Sequence, residues 1–258
     1  MKNQTTHPTR EIAARVLTAV DAGLVAGLGK QIPGQMCVEA AVCFAYGLPH
    51  GDEPPCVGSA VRSFKIALND STWSSETSRA KGMRRLAVAQ LGSDVLDQTA
   101  FSKLIALRAT QKLLPDALRD YAQYCNPEYR NKIETIAVAC AESQNNKEAD
   151  ASLARLDSLA SLDRLARLDR LDRLARLDRL DRLASLASLD RLARLASLAS
   201  LDRLDRLARL DRLARLASLA SLDKFLSAVA DIGEGVLVDM KSPGCEFLEL
   251  CDETPDRL

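Results

Sequence analysis

The 258-residue sequence lacks any run of about 18 apolar residues, which is the length that a helix needs to cross a bilayer. Its first eight residues also lack the apolar core of a signal peptide. Net charge is absent as well, because Lys plus Arg and Asp plus Glu both number 35. A neutral chain has no overall field that would steer it to nucleic acid or to an anionic membrane. These absences predict a soluble, cytoplasmic protein without a membrane span.

Signatures of common cofactor sites are missing too. The chain contains no P-loop, and the DIGEG segment at 231–235 lacks the third glycine and the preceding strand of a dinucleotide-binding motif. Seven cysteines, an odd number, are spread along the sequence without CxxC spacing. We therefore predict no cofactor and no metal ligands, and we expect reduced thiols, several of them buried. The cysteines are Cys37, Cys43, Cys56, Cys125, Cys140, Cys245 and Cys251.

Strand patterns are not found in residues 1–150, where apolar residues instead recur at spacings of three and four. We therefore predict an all-α fold, an irregular helical bundle with a long α-helical three-residue-repeat insertion. The predicted order is a helical head at 1–150, the repeat at 151–224, and a C-terminal helix and tail at 225–258 that pack on the head.

Capping residues predict where several helices begin. Thr9 is placed to cap a first helix that runs to about Leu28, with Gly27 and Gly29 as its end. Pro33 stands where a first-turn proline would begin the second helix. Further starts are predicted at Ser59, at Ser74 or Ser75, at Asp97, at Pro115 and at Asn126-Pro127.

The segment after the repeat predicts one more helix, from Phe225 to Met240, which Gly233 and Gly235 would strain. The Pro-Gly pair at 243–244 then turns the chain. Residues 245–250 are predicted to be a short strand or an extended tail.

The 70 residues at 153–222 contain no glycine, proline or asparagine and form one low-complexity block. Every third residue is leucine, 24 in all, followed by Ala or Asp and then by Arg or Ser. The block has 15 Arg and 10 Asp, a net charge of +5, so the rest of the chain carries −5. Its period matches none of the solenoid repeats, whose units run about 20–50 residues.

An α-helix is the backbone that suits this repeat. A strand has a side-chain period of two and would send successive leucines to opposite faces. A 3₁₀ helix would align the leucines, but such helices are uncommon beyond three or four residues. In an α-helix, Asp lies one turn before Arg at many positions, as in Asp163 with Arg167, and each such pair contributes about 0.2–0.5 kcal/mol.

Leucine would circle such an α-helix, because three residues advance by about 300° and each leucine lies about 60° behind the last. A two-stranded coiled coil does not fit, since its seam needs a 3.5-residue period. Each exposed leucine would forgo about 1.5–3 kcal/mol of burial. We therefore predict that the repeat self-associates, folds back as a hairpin or packs on a helical protein partner. The predicted interaction residues are Leu153, Leu168, Leu180, Leu195 and Leu210.

A DNA-level origin is the alternative to a selected function for the repeat. Ala and Asp codons differ at a single base, as Arg and Ser codons can, so slippage of a short coding unit would produce the triplets LAR, LAS, LDR and LDS. Synonymous codons scrambled across the units would contradict this origin and would favour selection on the protein pattern.

The two flanks of the repeat resemble a group of bacterial and phage-associated proteins for which no activity is known. In similar chains the middle is usually an alanine-rich low-complexity helix, so the leucine triplets are a departure. The resemblance implies a helical insertion between two flanks of one domain. It rests on the segments 46–52 (YGLPHGD), 64–70 (FKIALND) with Trp73-Ser74-Ser75, 84–92 (RRLAVAQLG) and 243–245 (PGC).

His50, Asp52 and Glu53 form the one place where catalytic residue types cluster, in the GLPHGDEPP loop. Cys43 and Cys56 are nearby, but their spacing relative to His50 is not that of a zinc site. The only other histidine is His7, so a Cys/His nucleophilic pair would require His50. The alternative, a structural loop beside buried cysteines, is favoured.

A second candidate surface is basic and would bind nucleic acid together with the arginines of the repeat. A solvated helix face explains the same residues and is favoured. The sequence as a whole favours a non-enzymatic structural or protein-interaction protein whose repeat self-associates. A nucleic-acid-binding module and an enzyme or metal site centred on His50 are the alternatives. The basic candidates are Arg62, Lys65, Arg79, Lys81, Arg84 and Arg85, with Trp73.

Overall fold

The computed structural model describes residues 7–123, 125, 127–166 and 219–252. Within these ranges the all-α prediction is confirmed, because the chain forms helices and loops with one isolated β-bridge between Gly29 and Met36. Two 3₁₀ helices cover Ser93–Val95 and Pro243–Cys251. The α-helices are α1 Arg10–Asp21, α2 Val38–Ala45, α3 Ser59–Asn69, α4 Glu76–Ala89, α5 Gln98–Lys112, α6 Leu114–Ala122, α7 Pro127–Ala141, α8 Asn146–Ala166 and α9 Leu219–Asp239.

The chain divides into two compact units, of which unit 1 comprises Met1–Ser102 with Ser218–Leu258 and unit 2 comprises Lys103–Ala217. The division falls within α5, whereas the sequence composition changes near residue 150. Residues 103–150 group with the start of the repeat because apolar side chains of α6, α7 and α8 pack on one another.

Unit 1 is built around α2, a helix that is buried on nearly every side. It contacts α1, α3 and α4, and its sequence VEAAVCFA has one charged residue, Glu39. A helix that is apolar all round is typical of a position in the middle of a core. The loop before α2 returns on itself at Gly29, whose φ of +70° is a conformation that glycine adopts without strain.

The C-terminal helix α9 also belongs to unit 1 and packs on α4 and α3. It continues unbroken through Gly233 and Gly235, so the predicted strain at these glycines is not observed. Gly233 serves close packing instead, because a Cβ atom there would lie 2.5 Å from Cε1 of Phe64. The glycine thus lets α9 approach α3 more closely than any other residue would.

Several predicted helix starts are confirmed. The hydroxyl of Thr9 accepts a hydrogen bond from the Ile12 amide, and the hydroxyl of Ser75 accepts one from the Ser78 amide. Asp97 caps α5 through the amides of Thr99 and Ala100. Pro115 lies in the first turn of α6, and α7 begins at Pro127.

Other predicted boundaries are wrong. Helix α1 ends at Asp21, before Gly27 and Gly29, and Gly23 follows with a φ of +117°. Helix α2 begins at Val38 rather than near Pro33, and the Cys37 sulfur accepts the Ala40 amide.

Two further predictions were also wrong. Gly58 rather than Ser59 occupies the cap of α3. Residues 245–250 form part of a 3₁₀ helix rather than a strand or an extended tail.

Unit 2 contains an apolar cluster between α6 and α7, to which the first repeat leucines, Leu153 and Leu156, add partly buried side chains. The repeat begins as the α-helix that its sequence predicts, since residues 153–166 lie in α8. Its last leucines, Leu219 and Leu222, lie in α9. The α-helix predicted for residues 167–218 lies outside the described residues. The cluster consists of Leu114, Leu118, Ala122, Ile133, Ile136, Ala137 and Cys140.

Among the residues that the structure describes, no helix combines the length and the apolar character that a membrane span requires.

Candidate functional site

A fully buried pair of opposite charges lies between α2 and α3. Glu39 comes from the apolar helix α2 and Lys65 from α3, and neither side chain has any exposed surface. The Lys65 Nζ atom lies 3.2 Å from Oε1 of Glu39. Moving two charges out of water costs several kcal/mol for each ion, and the attraction within the pair only partly offsets this cost.

The pair has few hydrogen bonds to compensate for its burial. A carboxylate accepts at about four lone-pair positions and an ammonium group donates three hydrogens. Apart from their mutual contact, the Glu39 carboxylate oxygens and the Lys65 Nζ atom have no hydrogen-bond partner within the described part of the chain. Buried polar groups in folded proteins are normally hydrogen-bonded, so this pair stands out from the rest of the core.

Burial shifts both protonation equilibria toward the uncharged forms. Loss of water around the carboxyl raises the pKa of Glu39, although the attraction of Lys65 opposes this shift. Loss of water likewise lowers the pKa of Lys65, against the attraction of Glu39. Buried groups with shifted pKa values are concentrated at functional sites, although purely structural ion pairs show them too.

A small cavity of about 30 Å³ adjoins the pair on the Glu39 side. Such a volume holds one or two water molecules and excludes a substrate-sized ligand. Acidic residues dominate its polar lining, since Glu39, Asp52 and Asp70 all border it, together with the Asn69 amide. The cavity is lined by Gly27, Leu28, Cys37, Val38, Glu39, Asp52, Ile66, Asn69 and Asp70.

Three buried cysteines, Cys37, Cys43 and Cys56, surround this region as free thiols. Burial raises the pKa of each thiol, that of Cys43 to about 11. Thiols react as thiolates, so these cysteines are protonated and unreactive near neutral pH. The prediction that several cysteines are buried is confirmed for these three.

The three loop residues predicted as a candidate site do not meet at one point. Asp52 borders the cavity, whereas His50 donates from Nε2 to the backbone oxygen of Gly29 at 3.2 Å. The Glu53 side chain is largely exposed and lies 3.4 Å from Arg62. Among the described residues no group of three or more His, Cys, Asp or Glu side chains is placed to hold a metal ion.

The predicted basic residues do not form one exposed surface. Lys65 is buried in the pair, and Arg79 is buried and donates to the backbone oxygens of Asn69 and Leu24, both at 2.8 Å. Trp73 is also buried, with its Nε1 donating to the Leu68 oxygen.

Two other members of the predicted basic surface hold helices of unit 1 together. Arg84 lies 2.7 Å from Asp21 of α1, and Arg85 binds Glu234 of α9 at 2.9 Å. Of the basic candidates, Lys81 is exposed, and the Arg85 side chain keeps 40% of its surface exposed. These residues therefore stabilise the fold of unit 1.

The predicted interaction leucines are only partly covered by the structure. Leu153 packs against the apolar cluster of unit 2. Leu168, Leu180, Leu195 and Leu210 lie outside the described residues.

The buried pair was missed by the sequence analysis, which placed Lys65 in a basic surface and gave Glu39 no role. A signal was present in the sequence. Glu39 is the one charge in the apolar run from Met36 to Ala45, and Lys65 is the one charge between Phe64 and Leu68. Single opposite charges within two apolar helical segments indicate that they pair in the core, because an unpaired buried charge is too costly.

No known protein family, curated protein or solved structure was found to match the chain.

Proposed function

We propose that this chain is a non-enzymatic structural or protein-interaction protein whose leucine repeat associates with a second copy of itself. The observation that carries the proposal is the packing of Leu153 and Leu156 against the apolar cluster of α6 and α7. These first repeat leucines have apolar cover from neighbouring helices. The later leucines of the same sequence pattern need equivalent cover, because each exposed leucine forgoes about 1.5–3 kcal/mol of burial.

The charges of the repeat allow a second copy as the partner. The block at 153–222 contains 15 Arg and 10 Asp, so two copies can pair acids with bases in a suitable register, whereas other registers are disfavoured by the net charge of +5 on each copy. Interactions between exposed charges of this kind select partners more than they add affinity. A hairpin within one chain, or another helical protein, would use the same side chains, and the experiment below separates these cases.

Light scattering coupled to size-exclusion chromatography tests the proposal on the full-length protein. We expect a mass that is a multiple of the 28.1 kDa chain and that falls toward 28.1 kDa on dilution. In a variant with glutamate at positions 168, 180, 195 and 210 in place of leucine, we expect the monomer. Four buried charges in an apolar interface cost far more than the interface contributes.

The matched control places the same four charges on alanines of the repeat, at Ala175, Ala184, Ala196 and Ala208. This variant changes net charge equally but keeps every leucine, so we expect it to retain more association than the leucine variant. A monomeric wild-type protein at every concentration would contradict the proposal and favour a hairpin. Equal loss of association in both variants would show that charge rather than leucine controls it.

A further inference from the structure

The Glu39–Lys65 pair joins two helices through a single polar contact. Glu39 lies in the first turn of α2 and Lys65 in the middle of α3, and the 3.2 Å contact is their one polar interaction among the described residues. Replacing such a pair by apolar residues is often neutral or stabilising. Stability alone therefore does not account for a charged pair in the core of unit 1.

The charged and titratable groups around the pair come from three segments. Arg62 of α3 and Asp52 of the preceding loop act on Glu39, with opposite signs. The thiols of Cys37 and Cys56 act on Lys65 and that of Cys43 is coupled to Glu39, and all three stay protonated near neutral pH because burial raises their pKa. Asp70 borders the same cavity. Within this group Glu39 and Lys65 are the charged side chains with no exposed surface.

We propose that the Glu39–Lys65 pair is a proton-dependent lock between α2 and α3. The pair holds one proton between the carboxylate and the amine and is then electrically neutral as a unit. Uptake of a second proton from solvent leaves an acid group beside a charged ammonium group, with no anion to balance it in the core. The adjoining cavity, which has room for water, provides the route by which that proton reaches Glu39.

The pair makes the free energy of unfolding of unit 1 depend on pH, and each of its two groups does so in its own direction. Burial lowers the pKa of Lys65 from its ordinary value of 10.5. Its contribution is therefore present above the ordinary value and is lost as pH falls through the value in the folded protein. For Glu39 alone, whose pKa is raised from 4.5, the contribution is present below 4.5 and is lost as pH rises through the folded value.

Because the two groups change stability in opposite directions, variants that keep only one of them can be distinguished by their pH dependence. The free energy of unfolding in urea is measured against pH with the fluorescence of Trp73. Trp73 is the single tryptophan of the chain and is buried beside the end of α3. The reference is the double variant Glu39→Gln/Lys65→Met, which removes both titrating groups and is expected to fold. Each curve is compared with this reference, so other titrating groups cancel.

Relative to the reference, the wild-type protein is expected to be least stable between the two folded pKa values. It should lose stability as pH falls from 10.5 through the folded value of Lys65, and regain it as pH falls through the folded value of Glu39 toward 4.5, with the unfolding constant changing by up to about tenfold per pH unit in each range. Glu39→Gln should show only the loss, because only the lysine then titrates. Lys65→Met should show the reverse direction and lose stability as pH rises. His50→Gln, which removes a histidine of the neighbouring loop, should retain the wild-type curve.

Two results would overturn the proposal. One is a wild-type curve that runs parallel to that of the double variant, which would show that the pair contributes no pH dependence. The other is a Lys65→Met curve that loses stability as pH falls. If Lys65→Met does not fold, the comparison of wild type, Glu39→Gln and the double variant still decides the question.

Discussion

Helices α8 and α9 carry the two described ends of the same repeat but bury their leucines differently. In α8 the leucines keep the spacing of three, and Leu153 and Leu156 are partly buried. In α9 the spacing changes to four after Leu222, and the next leucine, Leu226, is completely buried. Four residues advance the helix by about 40° beyond a full turn and three fall about 60° short, so alternating the two steps keeps apolar residues on one face.

Four-residue steps placed among the three-residue ones therefore separate a sequence whose apolar residues drift round the helix from one that forms a stable apolar face. In α9 the stripe continues through Val229, Ile232 and Val236, all buried. This difference shows that the triplet by itself does not build an apolar face on one side of a helix. The flanking helix packs on α4 because its sequence departs from the triplet.

The largest expected effect on stability comes from truncating one leucine in α9 and one in α8. Leu226→Ala removes a fully buried side chain and should lower the free energy of unfolding of unit 1 by about 2–5 kcal/mol. Leu153→Ala removes a partly buried one and should cost less than half as much. Urea unfolding followed by Trp73 fluorescence measures the stability of the Leu226→Ala variant. Urea unfolding followed by circular dichroism measures that of Leu153→Ala. Equal losses would contradict the contrast between the two helices.

The next effect concerns the close approach of α9 to α3. Gly233→Ala places a Cβ atom 2.5 Å from the buried Phe64 ring and should destabilise unit 1 by about 1–3 kcal/mol through overpacking. Gly235→Ala is the matched control, since Gly235 is half-buried on the same helix. There the better helix propensity of alanine should increase stability by about 0.5–1 kcal/mol. Thermal unfolding of both variants measures the difference, and a stabilised Gly233→Ala protein would refute the packing role.

A smaller effect is expected at the start of α8, where the helix that leads into the repeat is capped. The Asn145 side chain accepts the Glu148 amide at 3.1 Å, and the Glu148 carboxylate accepts the Gln144 amide at 2.7 Å. Asn145→Ala should cost about 1 kcal/mol, whereas Asn145→Ser keeps a capping oxygen and should cost less. Hydrogen exchange of the first turn of α8 provides the measurement. Identical exchange in the two variants would show that the cap is dispensable.

The smallest effect is expected at Asp223, which directly follows the last leucine of the repeat. Burial by itself would raise the pKa of Asp223, but hydrogen bonds from the Ser74 amide and hydroxyl more than offset it and lower the pKa below 3.8. The stabilisation is thus present above 3.8 and is lost as pH falls through the folded value.

Ser74→Ala removes the hydroxyl and should raise the pKa of Asp223, which carboxyl NMR titration detects. The loss of stability should stay below about 1 kcal/mol, because the pair is exposed. Thr77→Ala removes an exposed hydroxyl from the first turn of α4, the helix that follows Ser74, and should leave the titration unchanged. An Asp223 pKa that is the same in Ser74→Ala and in the wild-type protein would contradict the role of this hydroxyl.

The parts of the fold that depend on local sequence were predictable. Caps at Thr9, Ser75 and Asp97 and the proline start at Pro127 are encoded within four residues, and all were found. Boundaries that depend on tertiary contacts were not predictable. The start of α2 is an example, because the preceding loop first returns through Gly29.

The candidate site was predictable only in part, because it joins distant segments. The sequence singled out Asp52, which borders the cavity, but not the Glu39–Lys65 pair beside it. The two residues are 26 positions apart, and their pairing follows from the crossing of α2 and α3 rather than from any local pattern. The glycine at 233 was misread for the same reason, since its neighbour Phe64 comes from a remote helix.

Each unit contains a buried cysteine whose rate of alkylation reports how often that part of the unit opens. Burial raises the pKa of Cys43 in unit 1 and of Cys140 in unit 2 to about 11 in both cases. Once uncovered, the two thiols revert to similar intrinsic reactivity, so an alkylating reagent modifies each at a rate set by how often its own helix detaches. Pulse labelling with mass readout at these two positions would therefore rank the opening frequencies of the two units in a single sample.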